Sequence, residues 1–156
     1  MRKKLLTCTL IIISMAILFY HFVHLFSLWS EIPSTIPIHF NSRAPDHWGS
    51  KYLLFIMPVV GIVLWFFMGL LARRPEKLNY VHLTEENKHI QYVKAEKLMV
   101  FIQYLCLMMF EFANEAFLRN AVGMDSSLPL SIALALMAIC FLAPMYHMFW
   151  AATLKH

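Results

Sequence analysis

The sequence predicts an all-α, polytopic membrane protein with four transmembrane helices and an ordered extracytoplasmic loop between the first two. Three observations carry this. The chain of 156 residues is 60% hydrophobic and 14% charged, with mean hydropathy +0.62, where a soluble domain is about 25% charged. Four apolar runs, Leu5–Trp29, Tyr52–Ala72, Leu98–Leu118 and Leu128–Leu154, reach the roughly 20 residues that a helix needs to cross the hydrocarbon core. Their apolar character runs all round the helix, which is not the one-sided stripe of a soluble surface helix. Finally, the cations sort by side. With the N-terminus placed inside, Arg2, Lys3, Lys4, Arg73, Arg74, Lys77, Lys88, Lys94, Lys97 and Lys155 are cytoplasmic, and only Arg43, Lys51 and Arg119 fall outside. Both termini are therefore expected in the cytoplasm. The chain reads as one integral membrane domain over 1–156, with an outer loop at 30–51 and a cytoplasmic linker at 73–97.

The first run opens on a basic RKK and stays apolar through YHFVHLFSLW. No small-residue cleavage site follows its core, so it reads as an uncleaved span rather than a signal peptide. Tyr20, Trp29, His21 and His24 fall in its outer half. In the outer loop, EIPSTIPIHFNSRAPDHWGSKY, proline forces extended geometry on the residue before it. Ile32–Pro37 should be extended, IPIHF is the only part expected to pair as a strand, and NSRAPD reads as turns. Gly49 and Ser50 lead into the second span.

In that second span Gly61 and Gly69 are eight apart, a spacing that lets one helix face approach a neighbour closely. Pro58 is expected to kink its outer half. Pro75 stops the chain after Arg73 and Arg74. A new helix starts near Thr84, which reads as a simple N-cap because Asn87 stands where a capping box needs Glu or Gln. It runs on into the third span. The last span follows the turn Asp125-Ser-Ser.

Several chemistries lack their motifs. There is no HExxH, phosphate loop, nucleotide fingerprint, haem motif or glycine elbow around a serine. Cys8, Cys106 and Cys140 fall in three different spans with no CxxC and no disulfide pattern. The mixed charge of the linker reads as a solvated helix face, so no nucleic-acid partner is expected. No catalytic residue, metal site or cofactor is assigned.

Two residue sets remain as candidates. The first is intramembrane: His21 and His24 on one face of span 1, and Glu111 and Glu115 four apart on span 3. Ionisable groups at membrane depth mark function by default. Both spans run outward, so all four lie at the outer depth, while His147 lies near the cytoplasmic side. They suit proton relay, metal binding or structural pairing, and Glu115 is also placed to pair with Arg119. The second set is the loop: Pro37, His39, Phe40, Asn41, Asp46, Trp48, Gly49 and Lys51, as a ligand surface or as an ordered cap.

The loop also carries a resemblance. Ile36, Pro37, His39, Phe40, Asn41, Pro45, Asp46, Trp48, Gly49, Ser50 and Lys51, followed by Pro58, form IPxHFNxxxPDxWGSK before an apolar span with an early proline. This resembles a small domain of unknown function in bacterial membrane proteins, the domain that opens the immunity protein of the sporulation-delaying peptide toxin system. Asn79, Tyr80, Thr84, Glu85, Glu86, Asn87, Gln91 and Tyr92 resemble the family's inner-loop pattern, so the likeness spans roughly 10–105. Ala44 departs from it, since the family usually has glycine there. The resemblance implies a bacterial plasma-membrane protein. The function expected is non-enzymatic: an accessory, sensor or immunity-type module that binds an extracellular peptide, or a membrane or cytosolic protein, at the bilayer. The alternative is a small proton- or metal-coupled transporter using His21, His24, Glu111 and Glu115.

Overall fold

The computed structural model describes residues 2–40 and 45–154. Its elements are α1 (Arg2–Ser27), strands β1 (Thr35–Phe40) and β2 (Pro45–Ser50), a 3-10 turn at Lys51–Phe55, α2 (Ile56–Ala72), α3 (Lys88–Ala121) and α4 (Ser127–Ala152). A second short 3-10 turn covers Pro75–Lys77.

Among the described residues, three helical segments are long and apolar enough to cross a membrane: Leu5–Ser27, Lys51–Ala72 and Ser127–Ala152. Each shows most of its apolar surface to the outside, as in Phe19, Phe67 and Phe141. The stretch expected as a fourth span, 98–118, is not in this class. It is the body of α3, whose 34 residues bury Gln91, Gln103, Glu111, Asn114 and Glu115. The most polar long helix is thus the most enclosed one. It packs against α2, α4 and α1, while α1 and α2 do not pack on each other along their lengths. In lipid this is the expected partition, since apolar side chains need no shelter and polar ones do.

Paired residues fix the directions. Lys94 lies over the Trp150 ring at 3.2 Å, whereas Ala116 and Phe117 share a small cavity with Leu130, so α4 runs antiparallel to α3. Gln103 Nε2 donates to the Trp65 carbonyl at 2.9 Å and Asn114 Nδ2 to the Leu54 carbonyl at 2.7 Å, so α2 is antiparallel to α3 as well. His21 meets Asn114 and Glu115, and Thr7 and Ile11 share a cavity wall with Glu96 and Gln103. α1 and α3 therefore run the same way. The bundle has a hairpin end and a linker end.

Two expectations are corrected at the hairpin end. The fold is not wholly α, because β1 and β2 form a two-stranded antiparallel sheet with Thr35 opposite Ser50, Ile36 opposite Gly49 and Pro37 opposite Trp48. The partner strand is PDHWGS, which its sequence marks as turn rather than strand. Proline is tolerated because each strand has an open edge. Moreover, Pro58 falls in the first turn of α2, directly after the 3-10 turn, where proline's missing N–H belongs to the helix start and no mid-helix kink is required. The hairpin seats on an apolar cluster of Leu25, Ile32, Ile36, Leu54 and Leu118, flanked by Trp29, Phe55 and Phe117.

At the linker end the expected cap is stronger than a lone Thr84. The Thr84 N–H donates to Asn87 Oδ1 at 2.9 Å, and the Asn87 N–H donates to Thr84 Oγ1 at 3.3 Å. Asparagine thus does the work that Glu or Gln does in the usual reciprocal cap. Asn87 Nδ2 and Gln91 Nε2 then tie α3 to the carbonyls of His82 and Val81, and His82 sits at φ 50°. Tyr80 donates to the Pro75 carbonyl at 2.7 Å; burial, helped by Tyr92 and Glu76, pushes its hydroxyl up to about 12. At the other end, the carboxylate of Asp125 accepts from the Ser127 N–H and hydroxyl, both at 3.0 Å, and opens α4. Those bonds hold Asp125 below its ordinary value.

The α2–α3 contact depends on small residues. A Cβ on Gly61 would lie 3.1 Å from Phe110 Cβ and 3.4 Å from Leu107 Cδ1. Leucine at this position forces the helices apart, at about 1–3 kcal/mol for overpacking. Thermal unfolding of the purified protein in detergent should show a lowered midpoint for Gly61→Leu, and a midpoint equal to that of the parent would show that the α2–α3 packing is not as close as described.

Candidate functional site

The site lies where α1, the start of α2 and α3 meet near the hairpin end. Its first element is a backbone defect. Pro58 has no N–H to return to the carbonyl of Leu54, four residues earlier. That carbonyl accepts instead from Asn114 Nδ2 at 2.7 Å. The same amide nitrogen lies 2.7 Å from His21 Nε2. On the far side of the ring, His21 Nδ1 lies 3.0 Å from Glu115 Oε2. His24 Nδ1 reaches Glu115 Oε1 at 2.7 Å, and Arg119 Nε donates to the same oxygen at 2.7 Å. Arg119 also donates to the Tyr20 hydroxyl at 3.2 Å, and the rings of Tyr20 and His24 lie 5.6 Å apart.

Local helix geometry explains the convergence. His21 and His24 are three apart and share a face of α1, and Glu115 and Arg119 are four apart on α3. With the two helices parallel, the pairs meet at one depth. His21 is 1% exposed and Glu115 4% exposed, so this is a polar network enclosed by apolar helices, where unpaired groups are costly. His21, His24 and Glu115 meet at one level of the bundle near the hairpin end, and both the expected His–Glu contact and the expected Glu115–Arg119 pair exist.

Glu111 is different. It lies one turn from Glu115 and is 1% exposed, yet neither carboxyl oxygen has a hydrogen-bond partner among the described residues. One helix therefore presents two carboxyls in opposite settings, one with three donors and one with none. Toward the linker end from Glu111, a cavity of about 720 Å³ opens between α1, α2 and α3. Its walls include Ser14, Trp65, Gln103 and Leu107, and Arg73 and Glu96 stand at its linker end. Ser14, seven residues before His21 on α1, spends its hydroxyl on the carbonyls of Leu10 and Ile11. His147 belongs to the linker end, 5.4 Å from the Trp150 ring, away from the network.

Among the described residues, no group of three or more His, Cys, Asp and Glu side chains is arranged to hold a metal ion. Both histidines turn Nδ1 to the same carboxylate, an arrangement in which those nitrogens carry hydrogens rather than free lone pairs for a metal.

The loop residues mostly hold the hairpin to the bundle. Lys51 Nζ donates to the Trp29 carbonyl at 3.1 Å and approaches the Ile32 carbonyl at 3.5 Å, with its charge 4.4 Å above the Trp29 ring. It serves carbonyls at the end of α1, where a cation is favoured. A Cβ on Gly49 would fall 2.5 Å from Leu53 Cδ1, so glycine lets β2 lie against the start of the next helix. Pro37 is buried, and Trp48 is exposed. Asn41 and Ala44 lie outside the described residues, as do the side chains of His39, Phe40 and Asp46. Asn114, the link between the Leu54 carbonyl and His21, is not among the residues that the sequence singles out. The signal was Pro58, whose position leaves a carbonyl in need of a donor.

Residues 9–62 match the family described as Domain of unknown function (DUF1648). This stretch of the chain is similar to that domain. It runs from early α1 through the hairpin and 3-10 turn to Gly61 and Ile62, so it supplies His21, His24, Lys51, Leu54 and Pro58. It is the family that the loop motif resembles, and its span is narrower than the roughly 10–105 expected, because the inner-loop pattern lies beyond it. No curated protein and no solved structure matches the chain.

Replacing Lys51 with Met keeps the length of the side chain and removes the charge-assisted bonds, each worth about 1.5–3 kcal/mol. Lys51→Met should speed amide hydrogen exchange in 28–37 and 47–52 at least tenfold relative to the parent while leaving α3 unchanged. Equal exchange in the hairpin would show that Lys51 does not hold it.

Proposed function

We propose that the protein is a small, non-enzymatic, proton-coupled device of the bacterial plasma membrane. In this reading α3 is a fourth crossing, both termini face the cytoplasm, and residues 1–156 act as one integral membrane unit. The orientation rests on the cation bias between the two sides. The fourth crossing rests on α3's length of 34 residues, about 50 Å at 1.5 Å per residue, and on its enclosure by the three apolar helices.

One observation carries the functional reading: the contrast between Glu115 and Glu111. Three donors stabilise Glu115 as a carboxylate. Glu111, buried with no partner, is stable there only as the neutral acid, since an isolated buried carboxylate is far too costly. A protonated acid one helical turn from an ionised one is a step on which a proton can move. The partly exposed His24 at Glu115 gives exchange toward the hairpin side, and the cavity ending at Leu107, one turn short of Glu111, gives approach from the linker side. Rare ionisable groups enclosed within a membrane bundle are the usual parts of proton relays.

A second reading, the partner-binding module of immunity type, is favoured by the family match over 9–62 and by the exposed apolar side chains of Trp48, Tyr52 and Ile38 at the hairpin. It treats the His–Glu network as a brace for the hairpin platform.

The test is proton flux into liposomes carrying the purified full-length protein and a pH-sensitive dye, driven by an imposed membrane potential. The wild-type protein should acidify the lumen faster than empty liposomes. Glu111→Gln, which keeps shape and loses the proton site, should reduce the rate at least tenfold. Tyr146→Phe, on an exposed face of α4, should leave it unchanged. Wild-type flux no faster than empty liposomes, or full flux in Glu111→Gln, would remove the proton-coupled reading.

A further inference from the structure

The network contains two histidines on one carboxylate, and the hydrogen-bond chain makes them unequal. We infer that His21 is locked as a neutral ring with its proton on Nδ1, that Asn114 is the residue that locks it, and that His24 alone takes up and releases the proton. This deepens the proton-coupled reading by assigning the loading group at its hairpin side.

The chain of constraint begins at a group that can only accept. The Leu54 carbonyl has no hydrogen to offer, and Pro58 has none to give it. The Asn114 atom 2.7 Å away is therefore the NH2 and not the amide oxygen. This fixes the orientation of the amide, which shape alone leaves ambiguous. The second hydrogen of that NH2 points to His21 Nε2 at 2.7 Å. A nitrogen that accepts cannot also carry a proton, so Nε2 is bare. The ring's one hydrogen is then on Nδ1, donated to Glu115 Oε2 at 3.0 Å. Protonating His21 on Nε2 would set two donors against each other in a site that is 1% exposed.

His24 has no such restraint. Its Nδ1 donates to Glu115 Oε1 in either charge state, and among the described residues nothing occupies Nε2. Its side chain is 17% exposed, against 1% for His21. The charged and titratable groups around it are few. α3 contributes Glu115 and Arg119, and α1 contributes Tyr20 and His21. α2 carries no titratable side chain at all. Lys51 and Tyr52 of the 3-10 turn are directed to Trp29. On α4, Cys140, Tyr146 and His147 lie toward the linker end. Uptake of a proton by His24 turns the Glu115–Arg119 pair into a cluster of net charge +1, and its release restores neutrality. Asn114 is thus a positioning residue, acting on the proton through His21.

The test reads the rings directly, by nitrogen NMR of the full-length protein labelled with 15N-histidine in lipid nanodiscs. His21→Gln and His24→Gln assign the two signals. As the pH is lowered, His21 should keep a protonated Nδ1 and a bare Nε2, while the His24 signal changes to that of a ring protonated on both nitrogens. In Asn114→Leu, His21 should lose its fixed tautomer, showing a mixture of the two neutral forms or a titration of its own. A wild-type His21 signal with Nε2 protonated, or a His21 that titrates together with His24, would overturn the assignment even if Asn114→Leu fails to fold. Proton flux in liposomes is a separate readout. Flux with a titrating His21 would sink this assignment and keep the proton-coupled reading; a locked His21 with no flux would do the reverse.

Discussion

The arrangement turns on one missing hydrogen. Pro58 gives the start of α2 no N–H for the Leu54 carbonyl, and in hydrocarbon no water is at hand to replace it. Asn114 reaches across from α3 to fill the gap. Because that amide also holds His21, a backbone defect in one helix fixes the ring of a second through the side chain of a third. Glu115 collects the result, accepting from both histidines and from Arg119. Removing one member of such a buried set leaves its neighbours unpaired, which typically costs about 3–5 kcal/mol. The network is therefore a structural joint as much as a chemical one, and the two roles need not compete.

The same constraint explains why α3 is central. A helix carrying Gln103, Glu111, Asn114 and Glu115 is stable beside lipid only when other helices cover it. α1, α2 and α4 have apolar outer faces and supply that cover. Small residues make it close, with Gly61 against Phe110 and Leu107, and Gly69 where a Cβ would fall 2.7 Å from Gln103 Nε2. The hairpin closes one end over Leu25, Ile36 and Leu118, and the Thr84–Asn87 cap organises the other. Between α1 and α2, which barely touch, the cavity is left open toward the linker.

Much of this is legible in the residues themselves. Length and apolar runs locate α1, α2 and α4, because lipid selects on composition over a whole helix. The meeting of His21, His24 and Glu115 follows from counting residues along two helices that run in the same direction. Helical spacing alone pairs Glu115 with Arg119. What is not legible depends on partners far apart in sequence. PDHWGS has poor strand character and becomes β2 only by pairing with TIPIHF across the hairpin. Pro58 reads as a kink until the 3-10 turn before it is known. Asn114 is one polar residue among several on its helix, and nothing local says that Leu54, 60 positions earlier, needs its hydrogen. The contrast between Glu115 and Glu111 is likewise invisible in sequence, where both are acids on one face, because it is decided by which of them Arg119 and the histidines reach.

That contrast is the centre of the account, and infrared difference spectroscopy reads it most directly. Spectra of the wild-type protein and of Glu111→Gln in lipid at neutral pH should differ by the carbonyl stretch of a protonated carboxylic acid, present in the wild type and lost in the variant. Glu115→Gln should instead remove a carboxylate band and leave the acid band in place. A wild-type spectrum with no protonated-acid band, or one whose band disappears with Glu115 rather than with Glu111, would contradict the account.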